Sequence, residues 1–301
     1  MDKIVVITGA TATGKTDLAI KLAEMINGEI ISADSMMVYK YMDIGTAKPP
    51  KDIRKKISHY IIDVVKPSEI FSVKDFVELA DRHIKDIKAR GKTPIIVGGT
   101  WLYIQALLYG LSDAPKGDWA LRKKLYERDT EELYEELKKV DLEYSKKINR
   151  NDKRRIVRAL EVFYLSGKPF SYFQNKHGFK EERYSFIGFV LERNREDLMK
   201  AIENRVDKMF SEGLVDEVKF LIDMGYKNFL TSSQAIGYKE LIPFFDGYIS
   251  LNEAKENIIK NTKKFAKKQI KTFRSKFGKK NNWNFVNIND KNFIEIFEKI
   301  I

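Results

Sequence analysis

Residues 9–16, Gly-Ala-Thr-Ala-Thr-Gly-Lys-Thr, fit the spacing G-x-x-x-x-G-K-[ST], which suits a phosphate group. Backbone N–H groups of such a loop, and of the helix behind it, converge on one point and favour an anion there. Lys15 is placed to reach the outer phosphate and Thr16 to hold Mg²⁺. A glycine-rich turn that binds nothing would explain neither residue. Asp34 is the second candidate. It closes an apolar stretch, residues 29–35, that has strand character, and ligands of open α/β sheets bind beyond the carboxyl ends of strands. On position alone it is a helix cap, a Mg²⁺ ligand or a catalytic base.

The third chemistry is cationic. Arg154, Arg155 and Arg158 follow the cap-like pair Asn151-Asp152. Cations in a first helical turn oppose the helix dipole, so the cluster is easier to explain if an external anion sits beside it. Lys260, Lys264, Lys267, Lys271 and Arg274 form a stripe along a helix, and no acid occurs between Asn257 and Asn289. Such a one-signed stripe is an electrostatic footprint for a nucleic-acid backbone. Arg205 lies mid-helix, either as a phosphate clamp or in an internal ion pair with Glu203 or Asp207.

The elements that must position these groups alternate. Ile4 to Ile7 is a β-branched run typical of a buried parallel strand, and a helix follows the glycine loop. Residues 59–65, 93–100 and 184–191 add strands, while 72–90 and 195–225 (broken at Gly213) add amphipathic helices. The strand over 93–100 ends in Gly-Gly-Thr, where nucleotide-hydrolysing phosphate-loop proteins commonly place a Mg²⁺-binding Asp. The alternation predicts an α/β fold with a parallel sheet flanked by helices. Residues 118–183 are helical and dense in charge, predicting a helical insertion domain into a core of 1–117 and 184–301. The last strong helix spans 254–277, with Ile258, Thr262, Phe265, Gln269, Phe273 and Phe277 on its inner face.

Composition sets limits. The chain has 301 residues, 43% hydrophobic and 33% charged, enough for a sizeable core. It has no cysteine, so disulfides, thiolate zinc sites and cysteine nucleophiles are excluded. His59, His83 and His177 are scattered without metal-ligand spacing. No run approaches the ~18 apolar residues of a membrane span, and the first strand begins too early for a signal peptide, so the cytoplasm is the expected compartment. The net charge of +12 points to a polyanionic partner. Nothing demands more than a monomer.

These residues, taken together, resemble the tRNA dimethylallyltransferase (isopentenyl-tRNA transferase) family in its bacterial form. The resemblance rests on GATATGKT (9–16), ISADSMMVYKYMDIGTAKP (31–49), VGGTWLYIQALLYGL (97–111), INRNDKRRIVRALEV (148–162), ENRVDKMFSEGLVDEV (203–218), QAIGYKE (234–240) and Ala266-Lys267-Lys268-Gln269. It implies a P-loop NTPase-like core with a helical insertion. It also implies transfer of a dimethylallyl group from dimethylallyl diphosphate to N6 of the adenosine 3′ to the anticodon of tRNA. Gly9, Ala10, Thr11, Ala12, Thr13, Gly14, Lys15 and Thr16 would then hold diphosphate rather than ATP, with Mg²⁺ on Thr16 and Arg205 possible as a further clamp. Asp34 matches the family's general base and Thr100 a hydroxyl that positions the reacting groups. Asp34, Ser35, Met36, Met37, Thr100, Arg122, Arg154, Arg155, Arg158, Gln234, Gly237, Lys239, Lys264, Lys267 and Lys271 match tRNA-contacting positions. Ala10 and Thr13 replace the family's usual Pro and Ser, and the Trp common after the Lys-Lys-Gln segment is missing, which removes a stacking surface. A small-molecule kinase, with Asp34 activating a hydroxyl, and a non-catalytic RNA-binding module are the competing readings.

Overall fold

The computed structural model describes residues 3–178, 181–278 and 280–290, with Glu295 and Phe297. The chain forms two compact units, one of residues 1–108 with 183–301 and the other of 109–182. The smaller unit thus begins at Tyr109, earlier than the expected 118.

In the larger unit the elements run β1 (Ile4–Gly9), α1 (Lys15–Met25), β2 (Gly28–Ser32), α2 (Lys51–Lys56), β3 (His59–Tyr60), α3 (Val73–Ala89), β4 (Thr93–Val97) and α4 (Trp101–Tyr109). The six strands of its sheet lie in the order β3-β2-β4-β1-β5-β6, where β5 is Phe186–Glu192 and β6 is Trp283–Asn287. Every strand pair is parallel, as the alternation predicts. The central strands are buried along their whole length, with Ile4, Val5, Val6, Ile7, Ile95 and Ile96 all without exposure, because helices cover both faces. A parallel sheet also puts all carboxyl ends along one edge. That edge gathers the phosphate loop after β1, Asp34 after β2, Thr100 after β4 and Arg193 after β5.

Several boundaries differ from expectation. The strand predicted over 59–65 stops at Tyr60 because Ile61 and Asp63 take left-handed φ values of 61° and 58°, which ends the pairing. The strand β6 was not foreseen; its half-polar sequence, Trp-Asn-Phe-Val-Asn, fits an edge position beside β5.

Helices α10 (Arg195–Ser211), α11 (Leu214–Asp223), α12 (Ile242–Phe245) and α13 (Leu251–Phe277) complete this unit, numbered after the five helices of the smaller one. Gly213 separates α10 from α11 as expected. The helix α13 is begun by a capping box in which Ser250 accepts from the Glu253 N–H and Glu253 accepts from the Ser250 N–H. Its buried stripe runs Ala254, Ile258, Thr262, Ala266, Gln269, Phe273 and Phe277. Ala266 takes the place expected of Phe265, whose ring is 43% exposed. Among the described residues no helix is long and apolar enough to cross a membrane.

The smaller unit packs α5 (Trp119–Glu127), α6 (Thr130–Val140), α7 (Leu142–Ser145), α8 (Lys153–Ser166) and α9 (Phe170–His177) around Leu125, Leu133, Leu137, Ile156, Val157 and Leu160. Glu161 is fully buried within it. It accepts hydrogen bonds from the Asp118 N–H at 2.7 Å, from Arg122 Nη2 at 2.9 Å and from Arg158 Nη1.

A second buried acid ties strand β2 to its surroundings. Glu29 is bonded by both terminal nitrogens of Arg90 (2.7 and 2.6 Å), by Lys92 Nζ (2.7 Å) and by the Tyr60 hydroxyl (2.8 Å). Arg90 holds the Glu29 carboxyl down at about 2, overcoming a burial effect that pushes it up. An acid whose folded pKa is depressed contributes stability above its unfolded pKa, and that contribution is lost as the pH falls toward the folded one. Glu29→Gln is therefore expected to cost about 1.5 to 3 kcal/mol at pH 7, since Lys92 loses its acid while Arg90 keeps only Asp86. In chemical denaturation its deficit should narrow as the pH falls from about 4.5 toward about 2. A deficit independent of pH would contradict this.

Candidate active site at the carboxyl edge of the sheet

The phosphate loop is tightly built. Gly9 has φ 144°, and a Cβ there would lie 2.4 Å from the Leu191 carbonyl oxygen, so only glycine fits beside β5. Ala12 takes a left-handed φ of 62°, a conformation that costs a non-glycine residue something and persists only where neighbours enforce it. Those neighbours are visible. Arg193 Nη1 donates to the Ala12 carbonyl at 3.0 Å, and the Thr11 N–H donates to Gln269 Oε1 at 2.9 Å. The Thr13 hydroxyl donates to the Ala10 carbonyl at 2.8 Å. Gly14, also left-handed, leads directly into α1, so the first N–H groups of that helix open onto the loop's concavity.

Lys15 Nζ donates to the Ala10 carbonyl at 2.6 Å. Desolvation first, and then the nearby charge of Arg205, bring its pKa from 10.5 down to about 7, while Asp34 opposes both. Arg205 is subject to the same conditions: desolvation lowers its pKa and Asp34 raises it. Its expected ion-pair partners are taken elsewhere, Glu203 by Lys263 and Asp207 by Lys255. Among the described residues, Arg205 donates to the Thr46 carbonyl, at 3.4 Å. Two desolvated cations thus share one region, and Asp34 is the acid that acts on both.

Asp34 sits in an Asx turn. Its Oδ1 accepts from the N–H groups of Met36 (2.8 Å) and Met37 (3.3 Å), while Oδ2 has no hydrogen-bond partner among the described residues. Thr100 Oγ1 accepts from the Ser35 N–H at 3.1 Å and contacts Ser35 Oγ at 3.3 Å. The turn bearing Asp34 is thereby fastened to the end of β4. Further out, Glu217 on α11 accepts from the N–H groups of Asp43, Ile44 and Gly45 and from the Tyr238 hydroxyl. Lys48, with a side chain only 1% exposed, bonds the Tyr39 carbonyl, Asp43 and Asp63. The long stretch after Asp34 is therefore held by internal charges, and Lys48 is part of its frame.

No group of three or more His, Cys, Asp or Glu side chains suited to a metal occurs among the described residues. Thr16 would offer a single hydroxyl, so Mg²⁺ would fit here only as an ion carried mainly by phosphate oxygens and water.

The expected tRNA-contacting residues separate into two groups. Lys264, Lys267 and Lys271 are exposed on α13 and, with Lys268, carry no ion pair among the described residues. Arg274, expected in the same stripe, is bound instead to Glu192 at 2.7 Å. Gln234 and Lys239 are exposed, whereas Gly237 is buried, its N–H donating to Glu240 at 2.8 Å. Arg154 is exposed and Arg155 lies 3.4 Å from Asp152. Arg122 and Arg158 do not present free guanidinium groups. Both serve Glu161, and Arg158 also bonds the Pro115 carbonyl at 2.7 Å. The first-turn cluster on α8 is therefore smaller than its sequence suggests. Arg193 and Gln269, which hold the phosphate loop from outside, were not singled out for the site. Gln269 carried one legible signal, a polar side chain in an otherwise apolar stripe.

Residues 37–276 match the family model described as IPP transferase. The chain is 64% identical over 273 residues to the tRNA dimethylallyltransferase of Sulfurihydrogenibium sp. (strain YO3AOP1), covering 91% of this chain and 89% of the relative. It is 53% identical to that of Aquifex aeolicus (strain VF5), over 99% of this chain and 96% of the relative. Among solved structures it is similar to the full-length tRNA isopentenylpyrophosphate transferase from Bacillus halodurans, with a TM-score of 0.72, 37% identity and coverage of 100% and 96%. It is also similar to a eukaryotic dimethylallyltransferase described as acting on tRNA, with a TM-score of 0.85, 31% identity and coverage of 100% and 78%. With four-fifths of its length matched by the family model and near-full-length relatives at this identity, the chain belongs to the IPP transferase family, that of the tRNA dimethylallyltransferases.

Proposed function

We propose that the chain transfers a dimethylallyl group from dimethylallyl diphosphate to N6 of the adenosine 3′ to the anticodon in tRNA, releasing diphosphate. The observation that carries the site assignment is the placing of Lys15, on the Ala10 carbonyl of the phosphate loop, with Arg205 and Asp34 at the carboxyl edge of the sheet. Positive charge without matching acids, at the mouth of a phosphate loop, suits a ligand that brings several negative charges. A diphosphate does so. A carboxylate at the same place suits a reaction in which a nucleophile gives up a proton next to the departing anion.

The steps follow from the chemistry. The exocyclic amine of adenine is a weak nucleophile because its lone pair is delocalised into the ring. As N6 bonds to C1 of the dimethylallyl group, the C1–O bond breaks and its electron pair moves to the diphosphate. The N6 proton passes to Asp34 acting as general base, through Oδ2, since Oδ1 is engaged in the Asx turn. Thr100 steadies that turn through Ser35. Loop N–H groups, Lys15 and Arg205 stabilise the charge gathering on the leaving group. Mg²⁺ held by Thr16 would add neutralising charge there. The target base must leave its stack to reach Asp34, so the anticodon arm has to be gripped. The free lysines of α13 supply a salt-sensitive part of that grip.

Asp34→Asn is the informative variant, because Asn keeps an oxygen for the Met36 and Met37 N–H groups but cannot take the proton. Turnover, measured as N6-prenyladenosine in digested tRNA, should fall by about 10² to 10⁴-fold, with tRNA affinity within a few-fold of wild type. Near-normal turnover would remove Asp34 from the role of base.

Charge reversal at Lys264→Glu with Lys267→Glu should weaken tRNA binding most at low salt. The slope of log affinity against log salt should shrink by roughly one for each lost phosphate contact. Equal affinity at low salt would place the RNA backbone elsewhere.

A further inference from the structure

The buried stripe of α13 is apolar except at Thr262 and Gln269. A primary amide buried among apolar side chains is costly unless it is fully bonded. Gln269, 7% exposed, meets that requirement entirely outside its own helix. Its Oε1 accepts from the Thr11 N–H of the phosphate loop at 2.9 Å, and its Nε2 donates to the Gly99 carbonyl at 3.0 Å. One side chain thus joins the loop that follows β1 to the turn that follows β4.

That link falls where the sheet no longer provides one. Up to Gly98, β1 and β4 are bound to each other, the Gly98 N–H to the Ile7 carbonyl at 3.2 Å and the Thr8 hydroxyl to the Gly98 carbonyl at 2.8 Å. Past that point one chain turns into the phosphate loop and the other into Thr100. Gly99 also leaves the space that the amide occupies, since a Cβ there would lie 2.6 Å from Gln269 Nε2. The Thr11 N–H is committed to Gln269, so this loop amide fastens the loop and is withheld from an anion.

We propose that Gln269 is a positioning residue for the transfer, tying the phosphate loop to the turn that carries Thr100. It thereby sets the separation between the leaving diphosphate and the Asp34–Thr100 pair that receives the adenosine. The inference rests on the phosphate loop being the seat of the prenyl diphosphate. Gln269 touches neither reactant. Its effect is on alignment, and small misplacements of reacting groups lower turnover steeply.

The test is steady-state transfer from labelled dimethylallyl diphosphate into unmodified tRNA by the full chain. The wild type is compared with Gln269→Leu, Gln269→Glu and Gly99→Ala. Leu removes both bonds at nearly constant volume. Glu keeps the acceptor for Thr11 and loses the donor to Gly99. Ala at 99 displaces the amide without altering Gln269. Gln269→Leu and Gly99→Ala should each lower kcat about 10 to 100-fold, with KM for the diphosphate changed only a few-fold and tRNA affinity and melting temperature close to wild type. Gln269→Glu, which sets a carboxylate oxygen against the Gly99 carbonyl, should lower kcat at least as much as Gln269→Leu. The Gly99→Ala, Gln269→Leu double variant should be no slower than the slower single variant, because both break one link.

Gly99→Ala within twofold of wild-type kcat would overturn the proposal. So would losses of kcat that merely follow loss of folded protein or of tRNA affinity. If Gln269→Leu does not fold, Gly99→Ala decides. An inactive wild type would instead overturn the functional reading on which the proposal stands, which keeps the two failures apart.

Discussion

Lys15 and Arg205 are brought close together at the carboxyl edge of the sheet, where the charge of Arg205 lowers the pKa of Lys15 and Asp34 opposes it. Such an arrangement is unfavourable for the fold in isolation, and the surrounding structure is what sustains it. The parallel sheet brings the carboxyl ends of β1, β2, β4 and β5 to one edge, and the rigid packing of the central strands fixes the spacing. Arg193 and Gln269 then hold the phosphate loop from behind, and Glu217 and Lys48 fasten the long segment after Asp34. The uncompensated charge makes the site suited to an incoming polyanion. The same field favours charge that grows on a leaving diphosphate.

The arrangement also separates this site from phosphate-loop sites that hydrolyse nucleotides. After β4 there is a glycine turn and a hydroxyl where those proteins commonly present a Mg²⁺-binding acid. The acid in the site is Asp34, fixed by an Asx turn through one oxygen, the other having no hydrogen-bond partner among the described residues. A carboxylate arranged in that way is suited to accepting a proton. In the proposed reaction, electrostatic work is divided between loop amides and cations for the leaving group and a single carboxylate for the nucleophile.

Much of this was legible in the chain. A phosphate loop between a β-branched strand and an amphipathic helix, and acids or hydroxyls at strand ends, are local patterns, and the parallel sheet follows from the alternation of elements. What was hidden depends on contacts between residues far apart. Glu161 takes Arg122 from 39 positions away and Arg158 from one helical turn away, so an apparent cluster of free cations on α8 is partly internal. Arg274 is neutralised by Glu192 on another element, which an acid-free run in sequence cannot reveal. The choice of Ala266 over Phe265 for the inner face of α13 turns on whether the stripe advances by four or by three at that point. Helical periodicity allows both. Gln269 meets Thr11 across 258 positions, and only the fold makes that contact visible.

The central claim is that the phosphate loop and Asp34 serve one reaction in which a prenyl diphosphate, and not a nucleotide, is consumed. Incubation of the purified chain with unmodified tRNA and Mg²⁺, using radiolabelled dimethylallyl diphosphate in one series and γ-labelled ATP in a parallel one, tests it most directly. The account predicts label in tRNA from the prenyl donor, on an adenosine beside the anticodon, and no phosphate transferred from ATP. Phosphate passed from ATP to an acceptor, with no prenyl label entering tRNA, would contradict it.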